Sequence, residues 1–80
     1  MFFENYKLDG VSHSIRLTEY QKKVLRVISF YFGVSMSEYL RKLHKSISKN
    51  SVNRSMEMRD LIYLDFIGII LTDEKFREGK

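Results

Sequence analysis

The chain has no cysteine, no proline and no tryptophan, and four glycines among its 80 residues. Without cysteine there is no disulfide framework, so a chain this short stabilises itself with a modest apolar core, and self-association would help it. Two separated histidines, His13 and His44, form no HExxH-like pair, and no metal site is expected. Glycine-rich phosphate loops, a nucleophile elbow and a carboxylate cluster beside a base are missing as well, which points to a non-enzyme that needs no cofactor. Long hydrophobic runs are absent too. The most apolar stretch, 61–71, carries Asp65 and falls well short of the ~20 residues of a membrane-spanning helix. The opening MFFENYKLDG lacks the basic leader and apolar run of a secretory signal, so a cytoplasmic domain with no membrane contact is expected.

What is present is the composition of an ordinary folded domain, 44% hydrophobic and 30% charged, so one compact and mostly helical domain is expected. The net charge of +4 is unevenly placed. Residues 11–50 hold eight basic side chains against two acidic ones, while residues 1–10 and residues 51–80 each come to −1. A basic centre between near-neutral ends suits a polyanionic partner, although a solvated helix surface would look the same.

Residues 11–17, VSHSIRL, alternate: Val11, His13, Ile15 and Leu17 fall on one side of a strand, and Ser12, Ser14 and Arg16 on the other. Thr18 then opens a Thr-x-x-Gln capping box with Gln21. From Glu19 to Phe32, Val24, Leu25, Val27, Ile28, Tyr31 and Phe32 recur at helical spacing, and Gly33 stands where a left-handed C-cap is wanted. Ser35 and Glu38 form a second capping-box pattern, ahead of a helix with the stripe Met36, Tyr39, Leu40, Leu43 and Ile47. Turn formers at 48–53 end it, and Ser55 is positioned to cap a third helix carrying Met58, Leu61, Ile62, Phe66, Ile69 and Ile70. A short strand at 66–71 is the alternative there, because Gly68 weakens a helix and isoleucines favour a strand. The lone strand at 11–17 has no evident partner in its own chain. Its backbone groups are most simply satisfied by the same strand of a second copy.

The order of these features in residues 14–43, SIRLTEYQKKVLRVISFYFGVSMSEYLRKL, resembles the ribbon-helix-helix family of DNA-binding proteins, of the Arc, MetJ and CopG type. The resemblance implies a mainly α fold with one β-strand per chain, an intertwined homodimer and an intermolecular antiparallel two-stranded ribbon, with an extra C-terminal helix here. It divides the chain into an N-terminal arm (1–10), a DNA-binding domain (11–50) and a C-terminal helical extension (51–80). It implies that Ser12, Ser14 and Arg16 read base edges in the major groove. Arg16 is the best suited of the three, since it can pair bidentately with guanine. It also implies that the start of the second helix, Ser35, Met36 and Ser37, holds a backbone phosphate. Lys22, Lys23, Arg41, Lys42 and Lys45 are candidates for further phosphate contacts, although Glu19 with Lys23 and Glu38 with Lys42 are equally spaced for surface pairs along a helix. Ile15, Leu17, Leu25, Ile28, Phe32, Leu40 and Leu43 would form the dimer core. His13 departs from the family pattern, which places an apolar residue there, and is most simply a satisfied or half-exposed histidine.

The expected partners are therefore double-stranded DNA and a second copy. Residues 55–71 would pack on the dimer, build a higher oligomer or grip a protein partner. The expected function is a transcriptional repressor or regulator. An accessory role at a plasmid transfer origin, in partition or as an antitoxin is the alternative, and a helical protein-interaction module without DNA is the competing class.

Overall fold

A computed structural model describes residues 2–47 and 53–72. Two antiparallel strands, β1 (Phe2–Leu8) and β2 (Val11–Leu17), are followed by three helices, α1 (Glu19–Phe32), α2 (Met36–Ser46) and α3 (Arg54–Thr72). The chain is thus mostly helical, and no helix of the described residues is long and apolar enough to cross a membrane.

The strand at 11–17 does not lack a partner: residues 2–8, expected as an arm, form β1 and pair with β2 from Phe2–Leu17 to Leu8–Val11. This corrects the expectation of one strand per chain. The cause is local. Asp9 and Gly10 both take positive φ (53° and 80°), the conformation of a two-residue type I′ turn, which matches the twist of the two strands it joins. A partner tethered by two residues is always within reach, so β2 completes one edge of its hydrogen bonding without a second chain.

The hairpin has two faces. Tyr6, Ile15 and Leu17 turn inward and are buried, whereas Phe3, Asn5, Lys7, Ser12, Ser14 and Arg16 turn outward and are exposed. The inner face rests on a core that α1 supplies with Val24, Leu25 and Ile28, α2 with Tyr39, Leu40 and Leu43, and α3 with Met58, Ile62 and Ile69. At roughly 1.5–3 kcal/mol for each fully buried aliphatic side chain, these residues carry most of the stability. Six of the seven side chains expected in a dimer core are thereby buried within one chain. Phe32 is the exception. It is half exposed in the last turn of α1, at the rim of the core, where its ring stacks on Tyr39 and meets Tyr31 edge to face.

The helix ends follow the sequence cues. Thr18 Oγ1 accepts from Gln21 N–H (3.1 Å) and Gln21 Oε1 accepts from Thr18 N–H (2.9 Å), a complete capping box. Gly33 ends α1 in the left-handed region. Ser35 Oγ accepts from Glu38 N–H (3.1 Å), the forward bond of a capping box. Helix α3 is capped by Asn53, two residues before the expected Ser55, with Asn53 Oδ1 accepting from Met56 N–H (3.1 Å). It continues through Gly68 to Thr72, so the strand alternative at 66–71 is not adopted. Its inner side is held by the Tyr39 hydroxyl, which donates to the Asp65 carboxylate. Burial, the hydrogen bond to Asp65 and the charge of Asp65, in that order, push the Tyr39 phenol well above its usual range.

Candidate nucleic-acid interface

The outward face of the hairpin brings Ser12, Ser14 and Arg16 into one exposed row. Opposite them stand Lys7, Asn5 and Phe3, in the pairs Lys7–Ser12, Asn5–Ser14 and Phe3–Arg16. These last three lay outside the sequence-derived candidates, although Asn5-Tyr6-Lys7-Leu8 alternates and Asp9-Gly10 after it is a hairpin signal. The six side chains carry two positive charges and no negative one. Their chemistry covers several base edges: arginine fits guanine O6 and N7, asparagine fits adenine N6 and N7, and hydroxyls suit several bases. The Arg16 guanidinium lies 5.6 Å from the centre of the Phe3 ring, which holds it on the ribbon.

The start of α2 flanks the β1 side of this face. Ser37 and Arg41 join Asn5, Tyr6, Lys7 and Ser12 around a cleft of about 340 Å³. Ser35 caps the helix and its hydroxyl also lies 3.4 Å from that of Ser37. The first intrahelical bond comes from Tyr39 N–H to Ser35 O (3.0 Å), so the N–H groups of Met36 and Ser37 precede the helical ladder, as an anion site at a helix start requires. Of Ser35, Met36 and Ser37, only Ser37 lines the cleft.

The two lysines assigned to phosphate are placed otherwise. Lys22 Nζ sits 3.4 Å from Glu4 on the inner side of the hairpin and 4.8 Å from the centre of the Phe2 ring. Lys23 pairs at 3.8 Å with Glu19 one turn back on α1, both side chains exposed, an arrangement of the kind that contributes little.

On the β2 side the N-terminal half of α3 closes in. Arg59 Nη1 donates to the Arg16 carbonyl at 3.3 Å, 43 residues away in sequence, beside a cleft of about 560 Å³. The ribbon is therefore bordered by Arg41 on one side and Arg59 on the other.

Beneath the ribbon, His13 stacks on Tyr6 (centroids 5.4 Å) and meets His44 edge to face (4.6 Å). The Tyr6 hydroxyl hydrogen-bonds His44 Nδ1 at 2.9 Å and has the Met58 sulfur at 3.4 Å. Burial raises the Tyr6 phenol, with Arg54 opposing. Burial lowers the basicity of His44, helped by the charges of Arg54 and His13 and opposed by Asp9. His13 is thus packed in an aromatic trio rather than left as an unsatisfied core polar group. Among the described residues no group of three His, Asp or Glu side chains comes together as a metal site would require.

Compared with known proteins, the chain matches no family model, no curated protein sequence and no solved structure.

Proposed function

We propose that this chain is a sequence-specific double-stranded DNA-binding protein that lays its own β-hairpin in the major groove and acts as a transcriptional regulator of the repressor type. In this reading it is a ribbon-helix-helix-like reader whose ribbon is completed by β1 of the same chain instead of a partner's β2. The observation that supports it is the outer face of the hairpin, six exposed side chains with two positive charges and no carboxylate, flanked by Arg41 and Arg59. The major groove, about 12 Å wide, admits a two-stranded ribbon, and its phosphates line both walls. Arg16 reads guanine and Asn5 reads adenine. Lys7, Ser12 and Ser14 fill in between, and Ser37 with Arg41 holds a backbone phosphate.

A single ribbon covers few base pairs, so a second copy on a neighbouring half-site is part of the proposal. Apolar side chains available for its contact are Phe30 on α1, 88% exposed, and Leu64, Ile67 and Leu71 on α3, half exposed or more. An accessory role at a transfer origin or partition site, or as an antitoxin, would use the same face.

The test is selection from random duplex DNA at near-physiological salt with the wild type, Arg16→Ala and Asn5→Ala. A motif enriched by the wild type, and relaxed at a different base in each variant, is expected. If nothing enriches and all three proteins behave alike, the proposal falls and the exposed apolar surface makes the protein an interaction module.

A further inference from the structure

Where β2 runs out, its last outward-facing carbonyl is that of Arg16. A two-residue turn makes Leu8–Val11 a hydrogen-bonded pair, so Ser12, Ser14 and Arg16 direct their backbone groups away from β1 to an open sheet edge. Arg59 covers the end of that edge with its hydrogen bond to Arg16 O and is anchored by it. One of its five donors is used there, and the fork remains next to the cleft of about 560 Å³ between β2 and α3.

The other groups around this cleft share a property. Thr18 Oγ1 and Gln21 Oε1 both accept within the capping box, which leaves the Thr18 hydroxyl proton and the Gln21 amide N–H groups to donate. Ser55 adds a hydroxyl from the first turn of α3, and Arg16, packed on Phe3, forms the wall toward the ribbon. Among the described residues no carboxylate lines the cleft, and neither Arg16 nor Arg59 has an ion-pair partner. The free part of the Arg59 fork and the donors of Thr18, Gln21 and Ser55, next to the positive Arg16, select a ligand that accepts hydrogen bonds and carries negative charge, and a phosphate suits the Arg59 fork bidentately.

We propose that the cleft between β2 and α3 is a phosphate site, with Arg59 as its principal ligand, and that it grips a DNA backbone phosphate on the wall of the groove the hairpin enters. This rests on the DNA-binding reading above and extends it to α3. The third helix then contributes directly to DNA contact as well as to the core.

The experiment is duplex binding by fluorescence anisotropy with the full chain across a salt series, using a selected-site duplex and a scrambled one. Loss of one phosphate contact by Arg59→Gln should lower the salt slope by about 0.9, which at 0.1 M salt is about eight-fold weaker binding, equally on both duplexes. Arg59→Lys should keep the slope. If Arg59→Gln does not fold, as judged by far-UV circular dichroism, Ser55→Glu places a carboxylate one turn before Arg59 on α3, in position to neutralise its guanidinium, and should lower the slope by about as much. An unchanged slope in the folded variants overturns the proposal and leaves the DNA reading standing. No duplex binding by the wild type overturns both. A nucleoside monophosphate that binds the wild type one to one, fails to bind Arg59→Gln and leaves the DNA slope indifferent to Arg59 would assign the cleft to a free nucleotide, and the backbone-phosphate proposal would fail.

Discussion

Pairing of β2 with β1 inside one chain can be tested by a single cross-link. Asn5 and Ser14 face each other on the exposed side of the hairpin. They lie three pairs from the hydrogen-bonded Leu8–Val11 pair at the turn and so form a non-hydrogen-bonded pair, with Cα atoms about 4.5 Å apart, inside the range a disulfide spans. The chain has no cysteine of its own, so Asn5→Cys with Ser14→Cys creates the sole possible bridge. It would close a loop of ten residues. The chain-entropy relation gives about 3 kcal/mol of stabilisation for that loop, and a domain of this size should gain roughly 12–24 °C in midpoint, because each kcal/mol is worth about 4–8 °C. The assay is thermal unfolding of the oxidised and reduced forms beside a non-reducing gel. Oxidised monomer with the raised midpoint is expected at every protein concentration. A covalent dimer, or self-cross-linking of Ser14→Cys alone while the double variant gains nothing, would refute the hairpin in favour of a ribbon shared between two chains.

Three further outcomes follow from the packing. Tyr39→Phe removes the donor to Asp65 that ties α2 to α3 and should cost about 1.5–3 kcal/mol, read as a lower urea midpoint with an unchanged slope. Gly33→Ala meets nothing within 4 Å of the added Cβ, so only the left-handed backbone (φ 71°) is penalised, by about 1–2 kcal/mol in the same assay. His44 binds its proton less readily folded than unfolded, so its contribution to stability is intact above the unfolded value of 6.5 and is lost as the pH falls below it through the folded pKa. Denaturant midpoints should decline over that window, and His44→Gln should flatten the decline; an equally steep profile in the variant would exclude His44 as its source.

Much of this protein is determined by local sequence. Both capping patterns, the glycine at 33 and the helical stripes act between residues three or four apart, where nothing distant has to agree, and α1 and α2 begin where those signals put them, while α3 starts from Asn53 rather than Ser55. The alternation at 11–17 likewise decides which side chains of β2 face outward. The partner of β2 was legible in part, in Asp9-Gly10 and the alternation of residues 5–8 before it, but a ribbon shared between chains satisfies the same backbone groups and competes with it. Tertiary structure decided what depends on distant pairs. Phe32 stays at the rim of the core, half exposed against Tyr39. Lys22 is drawn under the hairpin by Glu4, and His13 finds its place through Tyr6 and His44. Arg59 reaches the edge of the ribbon from 43 residues away. A run of apolar residues shows that α3 must be covered, but periodicity does not say which element it will cover in turn, because that choice is made by packing over the whole core.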